Sequence, residues 1–318
     1  MVRVALRNQR VVVPPMPIKL PTKRAANSGV GLYVGTSHVA AVAASRKRVI
    51  AARSIELEPD VVLEDRIGNP EALSEAIREV TSGSAYGRQV YLGLGAQHGI
   101  VRVLEMPLIE DGKERDTAVR YHAAEAIAMP LDDAPMDHAF IGQEVTPGEG
   151  ARMRVLVAAA RRGRVYDLVD CVRSAGLRPQ GLELEPFALV RAISKPAGDN
   201  EPARVYCHLG EPATLVLAIG HACLLTRTVP NSGPALAEQL RLLMTYYTGQ
   251  PGSQPIFEVI LSGVSASEER QLEMLGVPSG INARIADPLG ILEADEKIAE
   301  EARPQLTVAA GLALGAFA

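Results

Sequence analysis

"GLYVGTSHVAAVAA", running from Gly31 to Ala44, reads as a strand, a tight turn and a second strand. Its turn is Gly35, Thr36 and Ser37, small residues that suit a sharp reversal, between two runs of small and β-branched apolar residues. A turn of this composition can direct backbone N–H groups and hydroxyls at a phosphate. A metal-assisted phosphate site also needs a carboxylate, because a hard cation takes oxygen ligands. The residue ahead of this turn is Tyr33.

The same pattern returns in the second half of the chain. "ARVYCHLG", "ATLVLAIG" and "HACLLTRTVP" form a three-strand meander at 203–230 that echoes the meander at 30–58. The first meander leads into a helix, "NPEALSEAIREVTSG". Asn69 is its cap, Pro70 suits its first turn, Gly83 closes it, and Leu73, Ala76, Ile77 and Val80 share one face. "QVYLGLG" follows as a buried strand. Residues 99–184 read as a separate small α/β unit, with strands "GIVRVLEMP", "HAFIGQEV" and "RMRVLVAAA" and helices "GKERDTAVRYHAAEAIAM" and "RGRVYDLVDCVRSAG". After the linker "SKPAGDNEP" come the second meander, the helix "GPALAEQLRLLMTYYTG", the strand "FEVILSG", a helix "SEERQLEMLG" and a small-residue helix in "QLTVAAGLALGAFA".

The 318 residues suffice for a two-lobed domain, and 47% hydrophobic with 22% charged residues fits a soluble globular protein. A net charge of −4, a pI near 5.9 and the absence of Trp argue against a nucleic-acid binder. No run of about 18 apolar residues marks a membrane span. The prolines at 14, 15 and 17 break the short apolar run near the start, so the chain reads as uncleaved and cytoplasmic. Cys171, Cys207 and Cys223 are too scattered for a disulfide framework and read as reduced.

Three stretches carry a family resemblance together with the first hairpin. They are "LEMPLIEDGKERDTAVRYHAAEAIAMPLDDAPMDHAFIG", "RVLVAAARRGRVYDLVDCVRSAGLRPQGLELEPFALVRA" and the C-terminal "AAGLALGAF". In order and spacing, residues 30–318 resemble the actin-like ATPase PilM family of type IV pilus assembly, related to the cell-division protein FtsA. The resemblance implies an α/β, actin-like (ribonuclease H-like) two-lobed fold with an inserted small α/β subdomain. It divides the chain into a basic arm at 1–29, a first lobe at 30–98 completed by 185–200 and 305–318, the insertion at 99–184, and a second lobe at 201–304. "NSGPALAEQLRLLMTYYTGQ" joins the second meander directly to "LSG", so the helical cover of the second lobe is expected to be reduced or absent.

The family's nucleotide-binding pattern is kept only in part: Gly35, Thr36 and Ser37 in the first hairpin, Gly210 and Thr214 in the second, and Gly263 in "LSGVSA". Tyr33 and His208 replace the two acids, Ala40 the lysine, and Val264 or Ser262 the second glycine of the adenosine motif. The expectation is therefore a vestigial site, no ATP hydrolysis, no catalytic residue, no metal and no cofactor. The alternative is an actin-fold ATPase holding Mg-ATP through other acids, of which Asp199 and Glu211 are the nearest and neither is in register. Glu125, a conceivable water-positioning base, sits on an amphipathic helix and reads as a surface charge.

As an adaptor, such a protein is expected to grip the N-terminal cytoplasmic peptide of a bitopic PilN-like partner, at the inner face of the cytoplasmic membrane. The resemblance puts the groove between the first lobe and the insertion. It is assigned here to Val101, Val103, Leu104, Met106, Val155 and Val157, through apolar pockets and strand-like hydrogen bonds. Other platform or motor proteins and self-association stay open as partners. The arm, with several basic and no acidic residues, reads as a strand or ordered arm lying on the body. Alternatives are a reach to a partner or anionic lipid, or occupation of the chain's own or a neighbour's groove by "MVRVALRNQ". A zinc site from Cys207, His208, His221 and Cys223 is disfavoured, since adjacent strand residues point to opposite faces; those cysteines read as core and the histidines as exposed. "GLGAQHG" matches no phosphate-loop pattern, and Ser262 and Ser265 form no nucleophile elbow.

Overall fold

A computed structural model describes residues 18–19, 28–45, 48–131, 134–146, 150–194, 201–263, 273, 275–278, 280–289 and 304–316. Asp199, Val264, Ser265, most of "SEERQLEMLG" and residues 1–17 and 20–27 of the arm lie outside the described residues.

The first lobe is built on a six-stranded sheet. Its strands are β1 (Ile18–Lys19), β2 (Ser28–Val34), β3 (His38–Ser45), β4 (Val49–Glu56), β5 (Gln89–Leu94) and β9 (Arg178–Leu184), ordered β1-β9-β5-β2-β3-β4. β2, β3 and β4 form the antiparallel meander, and β2, β5 and β9 run parallel. Both faces of this sheet are covered. One packs against α1 (Pro70–Val80) and α3 (Arg162–Ser174), the other against α4 (Glu185–Ile193) and α6 (Thr307–Gly315). Alternation explains how one strand serves both: Leu32 and Val34 join the α1/α3 core while Tyr33 joins the α4/α6 core. The Asn69 side chain caps α1 by accepting from the Ala72 N–H, and Leu73, Ile77 and Val80 are fully buried.

α6 comes unusually close. A Cβ at Gly31 would stand 2.0 Å from the carbonyl oxygen of Ala309, and a Cβ at Gly311 would stand 1.8 Å from that of Ala188. Small residues here let two helices and a sheet touch backbone to backbone. Arg191 and Glu183 close the far end with a buried ion pair, and Arg191 also donates to the Gly311 carbonyl at 2.9 Å.

The inserted sheet, ordered β6-β8-β7, comprises β6 (Gly99–Pro107), β7 (Met136–Thr146) and β8 (Gly150–Ala160). One face carries α2 (Gly112–Ala126), and the other contributes Leu156, Ala158 and Ala160 to the first-lobe core. Two boundaries differ from the sequence reading. β9, assigned there to the insertion, is hydrogen-bonded into the first-lobe sheet beside β5, and α3 packs on α1 and β9; parallel pairing across a long crossover leaves no local signal. α2 stops at Ala126, where Ile127 turns extended, before Pro130 is reached.

The second lobe has a five-stranded sheet ordered β12-β11-β10-β13-β14. Its strands are β10 (Ala203–Leu209), β11 (Ala213–Ile219), β12 (Ala222–Val229), β13 (Ile256–Gly263) and β14 (Asn282–Ile285). A single helix, α5 (Gly233–Thr248), lies between β12 and β13.

Gly311→Val is expected to lower stability by about 3 kcal/mol, since the added side chain must push α6 off α4. Gly163→Ala, where no atom lies within 4 Å of the new Cβ, is expected to be neutral or slightly stabilising. Urea unfolding of the two variants checks the contrast.

Candidate functional site

The parallel strands of each lobe end toward the seam between lobes, the usual place for a ligand crevice in open α/β sheets. β2 delivers Tyr33 and the turn at Gly35–Ser37; β10 and β13 deliver His208 and Ser262, paired across the ladder. The structure brings the first hairpin, the second hairpin and the end of β13 into one neighbourhood. The Gly35 N–H donates to the His38 carbonyl at 2.9 Å, closing the first turn. Gly263 is required where it stands: its φ is 101°, and a Cβ would lie 2.2 Å from the Leu209 carbonyl oxygen.

Side chains fill the middle of this seam. The Tyr33 hydroxyl donates to Glu185 Oε2 at 2.7 Å, with both residues buried. The Tyr33 ring lies 5.7 Å from the rings of both His38 and His208, tilted to the first and edge-on to the second. His208 Nδ1 meets Ser262 Oγ at 2.9 Å. His38 is 2% exposed and His208 1% exposed, so His208 is a core residue where the sequence reading had it exposed. The second hairpin also reaches in through Thr214, which is 1% exposed and approaches the Glu185 carboxyl closely enough to favour its charged form. Glu185 Oε1 nevertheless has no hydrogen-bond partner.

The electrostatics follow from burial. Desolvation raises the Glu185 carboxyl above its ordinary range and raises the Tyr33 phenol well above its own. Burial, then the neighbouring His208, pushes His38 down to about 4; burial alone does the same to His208. Both imidazoles are therefore neutral at pH 7. Among the described residues, all but one of the unpartnered buried polar atoms gather here. They belong to His38, His208 and Glu185 and, where α3 begins, to His98 and Arg164. His98 is likewise pushed down to about 4, by burial and then by Arg164. Neutral rings keep the cost of leaving such atoms unpaired below that of buried charges.

The remaining sequence assignments fall as follows. Glu125 is exposed beside His122 on α2. Cys207 is buried and Cys223 partly so, and among the described residues no group of three or more His, Cys, Asp and Glu is placed to hold a metal. Among the six residues given to the peptide groove, Leu104, Met106, Val155 and Val157 are buried, all in the core beneath α2. Strand alternation turns them toward α2 and away from the first lobe. Val101 and Val103 are half-buried and face the first lobe. Glu185 and His38 were missed. "GTSH" held a histidine directly after the turn, but only the fold shows what it meets.

Comparison with known proteins places this geometry. The model of the type IV pilus assembly protein PilM family matches residues 31–200. The chain belongs to this family. A search of curated sequences finds no match to it. Among solved structures it is similar to the PilM–PilN type IV pilus biogenesis complex, with 24% identity, TM-score 0.76, and coverage of 93% of this chain and 100% of that one. It also resembles the cytoplasmic domain of EpsL, an inner-membrane component of the type II secretion system of Vibrio cholerae (14% identity, TM-score 0.51, covering 91% and 95%). A third similar structure is that of the ethanolamine utilization protein EutJ from Carboxydothermus hydrogenoformans (12% identity, TM-score 0.53, covering 93% and 91%). The fold of this chain is thus the two-lobed actin-like one, with α5 alone between β12 and β13 among the described residues. Among the described residues no helix is long and apolar enough to cross a membrane.

Two measurements test the seam. Tyr33→Phe leaves a buried carboxyl oxygen unpaired and is expected to cost about 2 kcal/mol in urea unfolding. A histidine whose folded pKa lies below its unfolded 6.5 carries no penalty above that pH. The penalty grows as the pH falls from 6.5 to about 4 and saturates below, because the unfolded chain takes the proton first. Each histidine contributes up to roughly 3 kcal/mol of loss over that window. Stability is expected to fall from pH 6.5 to 4.5, and His208→Asn or His38→Gln to flatten that fall relative to the parent chain.

Proposed function

We propose that this PilM-family protein is an adaptor of an inner-membrane pilus or related secretion platform that works without hydrolysing ATP. The observation that carries the reading is the seam. Tyr33 and His208 stand where acids would be needed to hold a magnesium nucleotide, and their rings pack with His38 and Glu185 into the same space. A phosphoryl-transfer site relies on positioned metal and charge stabilisation. Four buried side chains that are neutral or disfavour charge supply neither, and the residues present do not fit Mg-ATP. Gly35, Thr36, Ser37, Gly210, Thr214 and Gly263 then serve as hairpin geometry inherited by the fold.

The partner in this reading is the short cytoplasmic N-terminal peptide of a PilN-like protein, by analogy with the PilM–PilN complex whose fold the chain shares. The inserted subdomain, seated on the first lobe through Val101, Val103 and Leu156, supplies the peptide-binding region. The protein would then be held at the inner face of the membrane by its partner.

Calorimetry separates this from an active ATPase. Mg-ATP is expected to give no heat of binding at micromolar concentrations, while a peptide copying the N-terminus of the cognate PilN-like protein binds. Micromolar Mg-ATP binding that Gly35→Asp or Gly210→Asp abolishes would overturn the adaptor reading.

A further inference from the structure

The edge of the first lobe is finished by the chain's own arm. β1 pairs antiparallel with β9, Ile18 opposite Leu182 and Lys19 opposite Gly181, and it also lies against β7 of the insertion. Because the pairing is antiparallel, the chain upstream of Ile18 leaves toward the Leu184 end of β9. That is the end from which the insertion rises: Gly99, the first residue of β6, packs on Leu184, and the Ala160 N–H bonds the Pro135 carbonyl just ahead of β7.

β7 is an edge. In the order β6-β8-β7 it has no strand on its outer side among the described residues. α2 covers β6 and β8 and leaves the β7 side of that face open as a groove of about 330 Å³. Met153 and Val155 lie at its floor, Leu108, Ile109, His138 and Phe140 flank it, and Glu110 and Arg115 border it as an opposite-charge pair of residues. Phe140 is 50% exposed and Leu108 36%, an apolar pair that water alone would leave uncovered. The strand's own charges are acidic, while Arg152 and Arg154 of β8 stand opposite Glu144 and Gly142 and Arg115 of α2 borders the groove. Residues 129–146 hold Asp132, Asp133, Asp137 and Glu144 and no Lys or Arg, and the Asp116 carboxylate on α2 pairs with His138 at 3.2 Å.

We propose that residues 2–13 of this chain, "VRVALRNQRVVV", add to the free edge of β7 and lay their apolar side chains in the groove beside Phe140. Three properties of the segment match the surface. It alternates apolar and polar residues at its start, with Val2, Val4 and Leu6 on one face, as a half-buried strand does. It carries Arg3, Arg7 and Arg10 and no acid, whereas β7 itself carries Asp137 and Glu144 and no Lys or Arg. Its length fits as well: twelve extended residues span about 40 Å, enough to run along an eleven-residue strand. Pro14, Pro15 and Pro17 lack N–H groups and cannot pair, so they form the extended bridge between the β9 edge and the β7 edge. The arm would thus protect both open edges, and any partner strand seeking β7 must displace it.

The test uses the full chain with a photo-crosslinking phenylalanine analogue, benzoylphenylalanine, at position 140, mapped by mass spectrometry. Crosslinks to residues 2–13 are expected at the mass of a single chain. Reversing charge in an Arg3→Glu/Arg7→Glu/Arg10→Glu variant is expected to cut their yield at least several-fold and to speed hydrogen exchange at β7 amides. The same probe at Tyr166, which is 50% exposed on α3, is expected to give none. Crosslinks found only at twice the chain mass assign the groove to a second copy's arm and overturn the proposal. So do equal yields from positions 140 and 166, or an exchange rate at β7 indifferent to the charge reversal. Peptide binding by the partner is measured separately, so failure here leaves the adaptor reading standing.

Discussion

A phenol and a carboxyl meet in a place that water does not reach. The Tyr33–Glu185 hydrogen bond ties the last turn of β2 to the first turn of α4, at the level where both lobes converge. The imidazoles on either side are neutral because their surroundings are dry, and one tilts against the tyrosine ring while the other meets it edge-on. A crevice that in an open α/β sheet would receive a ligand is instead upholstered from within. The two lobes become one continuous interior, with Thr214 from the second hairpin pressed against the same carboxyl.

This interior also explains the role of the inserted sheet. Its two faces do different things: one closes on α2, while Leu156, Ala158, Val101 and Val103 belong to the core of the first lobe. Such a subdomain is bolted to its base, and a segment bound along it is held relative to the whole molecule. The short β1 strand that finishes the β9 edge belongs to the same logic, since a paired edge is closed to random pairing.

What was legible in the sequence is what is local. The two hairpins, the Asn69 cap, the face of Leu73 and Ile77 on α1, and the echo between meanders all rest on neighbours a few residues apart. The family resemblance added the order of the parts. Nonlocal pairing escaped: β9 joins β5 across the whole insertion, and β14 is four residues long with no strong pattern. His208 looked like a surface residue because polar residues on strands usually are, yet Tyr33 covers it from the other lobe and Ser262 bonds it within its own. The residues assigned to the groove divide between two faces for a related reason, Val101 and Val103 toward the first lobe and the other four toward α2. An apolar alternation such as Val103, Leu104 and Met106 says that a strand has an inside, and only the tertiary structure says which side that is.

The close approach of α6 has a consequence in time. Gly31 and Gly311 mark a helix that belongs among the earliest strands but is encoded in the last part of the chain. While the ribosome is still adding the second lobe, β2 and β3 must wait with one alanine-lined face uncovered. Contacts that bridge so much sequence are paid in loop closure and form slowly. Until α6 docks, the alanine-lined face of β2 and β3 lacks the helix that covers it in the folded protein.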